Sequence, residues 1–342
     1  MLLLSEADIE RLIDPVSAIK VVADCFRAQA VTAHAEHGRL DAPRCDPKGS
    51  VLVLAGHGDG GLFAAKTNVH VYPDAQSGRR LARSAMLLWD SARCEPLAML
   101  ATTDFNNHRT GAGLAAATDA LAAKGARVLV MIGAGKIAPA AIRYLAAVRT
   151  LTKIFIFGRR PQRARELAES VGQWPSLAGC AVIAGTDMDA ALNEADIVVT
   201  LTTSATPVMA GASVKPGALV ILAGANRADA READDALMRR AQVYADDVVG
   251  CRSRAGDVRI PLESGAMKPE QFAGAIGLAI AGQPVSPPAG VDITVFKSMG
   301  IIEQDLVVAD WLVKRALEQS IGLDYDPLTG AYGATAPQAG VA

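Results

Sequence analysis

The sequence predicts an α/β protein in which a doubly wound, parallel-sheet domain is inserted between two pieces of an α+β domain. Three observations carry this. Between 127 and 247, continuous Val/Ile/Leu runs alternate with helical stretches, the pattern of a parallel sheet covered on both faces. Before 127 the apolar runs are instead separated by Pro, Asp and Gly, as in strands joined by turns. After 250 come a loop-rich connection, an extended run and a last helix. The predicted division is 1–112 plus 255–330 for the discontinuous domain and 113–254 for the inserted one. Residues 331–342, rich in Gly, Ala and Pro, are expected to form a flexible tail.

Each element follows from its local pattern. Residues 5–30 have helical spacing, with Ile9, Leu12, Ile13, Val16, Ile19, Val22 and Phe26 on one face. Between 50 and 100 the runs VLVLAG, LFAAKTNVHVY, SAMLLWD and PLAMLAT read as strands. Residues 107–124 form an Ala-rich helix that opens with Arg109 and Thr110. The inserted domain supplies RVLVMIG, KIFIFG, CAVIAG, DIVVTLT, ALVILAG and QVYADD, with helices between them. The extended DITVFKSMG and a helix over 302–320 complete the chain.

Composition narrows the function. The 342 residues carry 34 Lys and Arg against 36 Asp and Glu, a net charge of −2, which excludes a broad nucleic-acid footprint. The cations divide into 24 Arg and 10 Lys, and the planar guanidinium fork suits carboxylates and phosphates. No run of about 20 apolar residues predicts a membrane span. The opening MLLLSEADIERLID lacks the cationic start of a signal peptide. Five scattered cysteines without CxxC spacing read as reduced thiols of a cytoplasmic protein. His34 and His37 are three apart, but no Cys or acidic cluster completes a metal site, so no metal is expected. The stretch from Gly61 to Thr67 approaches a phosphate loop, yet Ala65 stands where glycine is required before Lys66.

The run from Arg127 to Ala138 is a strand, a Gly-rich turn and a helix start. Gly133 permits the tight turn, Gly135 lets backbone approach a pyrophosphate, and Ala138 keeps the helix close to the sheet. Within its βαβ series this turn, with Lys136 inside it, predicts a Rossmann dinucleotide-binding domain. The second strand ends in Gly158-Arg159-Arg160-Pro161, where an NAD site usually carries an acid for the ribose 2′-hydroxyl. Two guanidiniums there favour NADP(H) over NAD(H). Outside this domain, Arg44, Lys66 and Arg109 stand among apolar or small neighbours. Burial would lower the Lys66 pKa and suit it to proton transfer, and Arg109 at a helix start offers a bidentate grip on a carboxylate. Together with a nicotinamide they suggest an α-amino or α-imino acid substrate.

These pieces resemble the ornithine cyclodeaminase/mu-crystallin family over nearly the whole chain. The resemblance rests on Lys66 in its strand, Arg109-Thr110-Gly111-Ala112, and Val130 to Gly135. It continues through Ala195 to Thr203, Val214 to Gly217, Arg231-Glu232, and Phe296 to Gly300 before Glu303-Gln304-Asp305. It implies a homodimer whose substrate-binding and dimerisation domain is built from both chain ends, and NAD(P)(H) chemistry on a small amino or imino acid. It further implies that Arg44, Lys66 and Arg109 contact the substrate carboxylate and amine. Thr203, Lys297 and Ser298 would line the nicotinamide side, with Thr110 also at the cofactor.

Two departures from the family pattern bear on the reaction. Cyclodeaminating members carry an Asp shortly after the last core strand of the nucleotide domain, where this chain has Asn226. An amide cannot serve as that base, which leaves Asn226 a hydrogen-bonding role. Gly78-Arg79-Arg80-Leu81-Ala82-Arg83 stands where relatives read close to G-L-P-T. The expectation is an NADPH-dependent reductase of cyclic imino acids, of the Δ1-pyrroline-2-carboxylate or Δ1-piperideine-2-carboxylate type, yielding the L-amino acid. The alternatives are an ornithine or lysine cyclodeaminase with retained NAD+, an amino-acid dehydrogenase, a hydroxyproline dehydratase, and a non-catalytic binding protein.

Overall fold

Proline decides the first break in the chain. In the computed structural model the helical stretch expected over 5–30 divides into α1 (Glu6–Leu12) and α2 (Pro15–Gln29). Pro15 occupies the first turn of α2, where its missing N–H costs nothing, and pushes the preceding residue out of helical geometry. Asp14 caps the new start by accepting from the Ser17 amide at 2.8 Å, and Ser5 and Asp8 form a reciprocal capping box on α1. The structure describes residues 1–30, 38–45, 48–58, 61–74, 79–327 and 329–333. His34, His37 and most of the expected tail lie outside them, as do the side chains of Arg44, Arg79 and Arg80.

The described chain falls into two compact units. Unit 1 comprises Met1–Cys25, Ala33–Arg109 and Ile302–Ala342, and unit 2 comprises Phe26–Thr32 and Thr110–Ile301. In unit 1, β1 (Leu2–Leu4), β2 (Gly38–Cys45), β3 (Lys48–His57), β4 (Leu62–Asp74), β5 (Arg79–Asp90) and β6 (Glu95–Ala101) join β15 (Leu323–Tyr325) and β16 (Tyr332–Gly333). The sheet order is β16-β15-β1-β6-β5-β4-β3-β2, antiparallel except where β1 runs parallel to β6. Helix α11 (Ile302–Glu318) packs across it: a Cβ on Gly56 of β3 would collide with Ile302, and one on Gly58 would meet Leu306 at 3.2 Å. Helix α3 (Phe105–Leu121) begins in unit 1, and the division falls inside it, between Arg109 and Thr110.

Unit 2 is the Rossmann domain. Its strands are β7 (Val128–Ile132), β8 (Lys153–Phe157), β9 (Ala181–Ala184), β10 (Ile197–Thr200), β11 (Leu219–Leu222), β12 (Ala241–Ala245), β13 (Phe272–Ala275) and β14 (Ile293–Lys297). All neighbours pair parallel in the order β13-β12-β14-β11-β10-β7-β8-β9. Helices α4 (Ile137–Val148), α5 (Pro161–Gly172), α6 (Met188–Glu194), α7 (Asp235–Arg239), α8 (Val248–Arg254), α9 (Gly256–Ser264) and α10 (Ile276–Ile280) connect them. Burial of β10, β11 and β12 on both faces accounts for their uninterrupted apolar character. The second crossing between the units is expected at 254/255. The sheet instead continues to Lys297, because β13 and β14 pair with β12, and the units divide between Ile301 and Ile302. No helix among the described residues is long and apolar enough to cross a membrane.

Candidate active site

In unit 2 the site residues gather at the carboxyl ends of four adjacent parallel strands, where open α/β sheets bind ligands. Gly133 follows β7, Thr203 follows β10, Asn226 follows β11 and Ser298 follows β14. Gly133 has φ +127° and donates its N–H to the Phe157 carbonyl at 2.8 Å. A Cβ there would lie 2.5 Å from the Leu201 carbonyl oxygen, so both conformation and space require glycine. Nothing lies within 4 Å of the Cβ position of Gly135, which leaves that backbone open to a ligand. Lys136 is exposed and occupies the cap position of α4 without a side-chain cap bond, and Ala138 is fully buried against the sheet. An approachable backbone before a three-turn helix suits a pyrophosphate, so the loop fits a dinucleotide.

After β8, Arg159 and Arg160 are exposed, and neither makes an ion pair among the described residues. Pro161 opens α5 directly behind them, and no acidic residue intervenes. Two unpaired guanidiniums at this turn suit a phosphate better than a ribose diol.

The loops after β10, β11 and β14 are held by three buried acids. The Glu232 carboxylate accepts from the Thr202 amide (2.8 Å) and hydroxyl (2.7 Å), and from the amides of Gly224 (2.8 Å) and Ala225 (3.1 Å). Asp257 accepts from the amides of Glu232 and Ala233 and pairs with the Lys297 ammonium at 3.0 Å. Asp246 takes the Ser298 hydroxyl (2.9 Å) and the amides of Met299 (2.7 Å) and Gly300 (3.0 Å). Burial pushes its carboxyl up from the ordinary range. Asn226 is exposed and donates from its amide to the Met299 carbonyl at 3.2 Å, while Thr203 is exposed beside Thr202.

Lys297 does not occupy the place expected of it. Its side chain is wholly buried, and the ammonium donates to the Ala225 carbonyl (2.6 Å) as well as to Asp257. It fastens the loop after β11 and presents no charge to a ligand. Ser298, just after β14, donates its hydroxyl to Asp246, which fixes it at the carboxyl end of the sheet.

Unit 1 holds a second constellation. Along β4 the alternation buries Ala64, Lys66 and Asn68 on one face. The Lys66 ammonium donates to Asn106 Oδ1 (2.6 Å) and Asp305 Oδ1 (2.8 Å) and lies 5.5 Å from the centre of the Phe105 ring. Arg109, one helical turn beyond Asn106 on α3, donates from Nη2 to the same Asn106 oxygen at 3.2 Å. Its Nε stands 3.1 Å from Asp305 Oδ1, close enough for an ion pair but not aligned as a hydrogen bond. Asn106 in turn donates to Asn68 Oδ1 at 3.4 Å. Burial pulls the Lys66 ammonium down from 10.5 to about 8; Asp305 resists that fall and the Arg109 charge adds to it. Among the described residues one ammonium hydrogen of Lys66 remains unengaged, and Arg109 keeps donors of its own. Arg44 lies on β2 in register with Gly49, and Thr110 is buried on α3.

Residues 1–320 match the family model described as the ornithine cyclodeaminase/mu-crystallin family. The chain belongs to that family. Within it, a Δ1-pyrroline-2-carboxylate reductase of Paracoccus denitrificans is 32% identical over 270 residues, which are 78% of this chain and 84% of the relative. A reductase of the same description from Bacillus cereus is 27% identical over 94% of this chain and 98% of its own. Among solved structures, the Thermococcus litoralis Δ1-pyrroline-2-carboxylate reductase in complex with NADH and L-proline superposes with a TM-score of 0.86 at 26% identity. That match covers 95% of this chain and all of the other.

Family motifs alone did not give roles to Asn106, Asp246, Asp257, Glu232 or Asp305. For Asp257 and Asp305 the available signal was an acid among apolar helical neighbours, while Glu232 and Asp246 lie in loops and carry no such signal. Asp305, for example, lies in α11 between Ile302 and Leu306, both buried.

Proposed function

We propose that this protein reduces a cyclic imino acid of the Δ1-pyrroline-2-carboxylate or Δ1-piperideine-2-carboxylate type to the L-amino acid, with NADPH favoured over NADH. The observation that carries this is the pairing of buried Lys66 with half-buried Arg109, held side by side on shared acceptors. Arg109, with Arg44, binds the substrate carboxylate, since a guanidinium grips both of its oxygens. Lys66 faces the imine nitrogen with its unengaged hydrogen and supplies the proton that converts C=N to an amine. A pKa of about 8 keeps Lys66 largely charged at neutral pH and near the range where proton donation and recovery are both fast. The dinucleotide, when bound, supplies the hydride to the imine carbon. Gly133, Gly135, Lys136, Ala138 and Thr110 bind it, Arg159 and Arg160 receive its 2′-phosphate, and Thr203 and Ser298 line its nicotinamide end. Asn226 orients substrate or nicotinamide through hydrogen bonds. Two relatives are described as Δ1-pyrroline-2-carboxylate reductases, and L-proline, the product of such a reduction, accompanies NADH in the Thermococcus litoralis protein.

The reading includes a homodimer in the cytoplasm, whose mass light scattering measures. The enzyme test is dinucleotide oxidation over a panel of cyclic imines. Oxidation of NADPH with Δ1-pyrroline-2-carboxylate or its six-membered homologue is the expected result, and none with any cyclic imine overturns the function. A higher kcat/KM with NADH than with NADPH overturns the cofactor preference alone. Redox-neutral cyclodeamination is disfavoured because the Asn226 amide cannot take a proton from a substrate amine. Proline and ammonia formed from ornithine with catalytic NAD+ would reverse that order.

A further inference from the structure

We propose that Asp305 is the positioning residue of the substrate site, fixing Lys66 and Arg109 in one geometry through a single carboxylate oxygen. The proposal rests on the imine-reductase reading and adds to it a residue that does not touch substrate. Asp305 is fully buried in the first turn of α11, where the helix N-terminus favours an anion. Its Oδ1 lies 2.8 Å from Lys66 Nζ and 3.1 Å from Arg109 Nε, while its Oδ2 is buried with no hydrogen-bond partner among the described residues.

A carboxylate with one oxygen unsatisfied is a costly way to fill a helix–sheet interface, and an apolar residue of similar volume is often as stable or more so. The arrangement makes sense as electrostatic positioning. Two cations converge on one carboxylate site, and without an anion between them they repel each other. Asn106 accepts from both cations and sets their separation, but it carries no charge to balance them. Opposite Lys66, β3 and β5 present Leu54 and Met86. Among the described residues, the charged groups facing Lys66 are therefore Arg109 from α3 and Asp305 from α11. Removing the Asp305 charge leaves Lys66 facing only a like charge in a desolvated setting, and its proton is lost more easily.

The test compares wild type, Asp305→Asn and Asp305→Glu. In Asp305→Asn, the alkaline fall of kcat/KM for the imine is expected to move toward lower pH by about 1–3 units, the range an adjacent opposite charge produces. Activity at the optimum falls at least tenfold, and dinucleotide affinity stays within twofold. Asp305→Glu, which keeps the charge, restores the position of the alkaline fall in part. A folded Asp305→Asn protein with the wild-type pH limb overturns the proposal, since a merely structural role lowers the melting temperature and leaves the limb in place. NMR titration of ε-13C-labelled lysine follows Lys66 without turnover, its signal being the one lost in Lys66→Met. If wild type reduces no cyclic imine, the functional reading fails while this titration still decides the role of Asp305. If Asp305→Asn does not fold, Asp305→Ser decides by the same titration: a Lys66 midpoint at the wild-type pH overturns the proposal and a lower one supports it.

Discussion

Gly133 and the Leu201 carbonyl meet so closely that the first turn of the Rossmann domain has no room for a β-carbon, which would stand 2.5 Å from the oxygen. The contact ties the end of β7 to the end of β10, where the strand order reverses. Gly133→Ala combines that overlap with a φ of +127°. A left-handed conformation alone costs an alanine about 1–2 kcal/mol. A lower melting temperature and weaker dinucleotide binding are expected, as read by scanning fluorimetry and fluorescence titration. Wild-type values for both would contradict the turn's role.

Lys66→Met tests the proton donor with a side chain of similar length. General acid catalysis contributes about 10²–10⁴-fold, so kcat on the cyclic imine should fall by that order. Dinucleotide affinity should stay within twofold of wild type. Full turnover in the variant would remove Lys66 from the chemistry.

Stability should depend on pH through the same residue. The Lys66 pKa is lowered to about 8 in the folded protein and stands at 10.5 when exposed. Between these values the unfolded chain binds a proton that the folded one does not, so stability rises with pH across that window. The cost of burying the charge is fully present below pH 8 and is relieved toward 10.5. Wild type should therefore gain melting temperature relative to Lys66→Met as pH rises from 8 to 10.5, and a constant difference would speak against the shift. The activity limb has the opposite sense, since turnover requires the charged form.

Replacing Arg159 and Arg160 together with glutamine tests the 2′-phosphate site. Hydrogen bonds to charged groups contribute about 1.5–3 kcal/mol each, which predicts more than a tenfold rise in the KM for NADPH. The KM for NADH should not move. Parallel losses for both dinucleotides in steady-state assays would assign the arginines to something other than the extra phosphate.

Glu232→Gln keeps the shape of a buried side chain but halves its accepting capacity. Of the four groups now donating to it, some backbone amides must lose their partner, at about 1–3 kcal/mol for each buried donor left unpaired. Faster amide hydrogen exchange at Thr202, Gly224 and Ala225, with a raised KM for dinucleotide, is expected. Unchanged exchange there would show that Asp257 and Lys297 hold the loops without it.

The parts of this molecule that were legible from sequence are those written in adjacent residues. Strands β7, β10 and β11 announce themselves because burial on both faces requires unbroken apolar runs, and the Gly133–Gly135 turn is a local conformational demand. Lys66 and Arg109 stood out as cations among small or apolar neighbours. What was hidden is pairing across long separations. Lys66 and Asp305 are 239 positions apart, and nothing near either identifies the other. Lys297 shows the same difficulty: its motif suggested a ligand contact, while Asp257, 40 positions away, binds its charge. The second division of the chain was displaced for a related reason, since a short extended run does not reveal which strands flank it.

The strand order also sets a sequence of events for the growing chain. β14 lies between β11 and β12, so β12 has no sheet neighbour other than β13 until residues 293–297 exist. During synthesis, β7 to β11 can assemble as a five-stranded half-sheet whose open flank waits on a segment made about 70 residues later. Parallel pairings of such high sequence separation close slowly. The Rossmann unit is therefore completed from its middle, by a strand that wedges in late, and until then the flank of β11 carries unpaired backbone groups that another strand could take up.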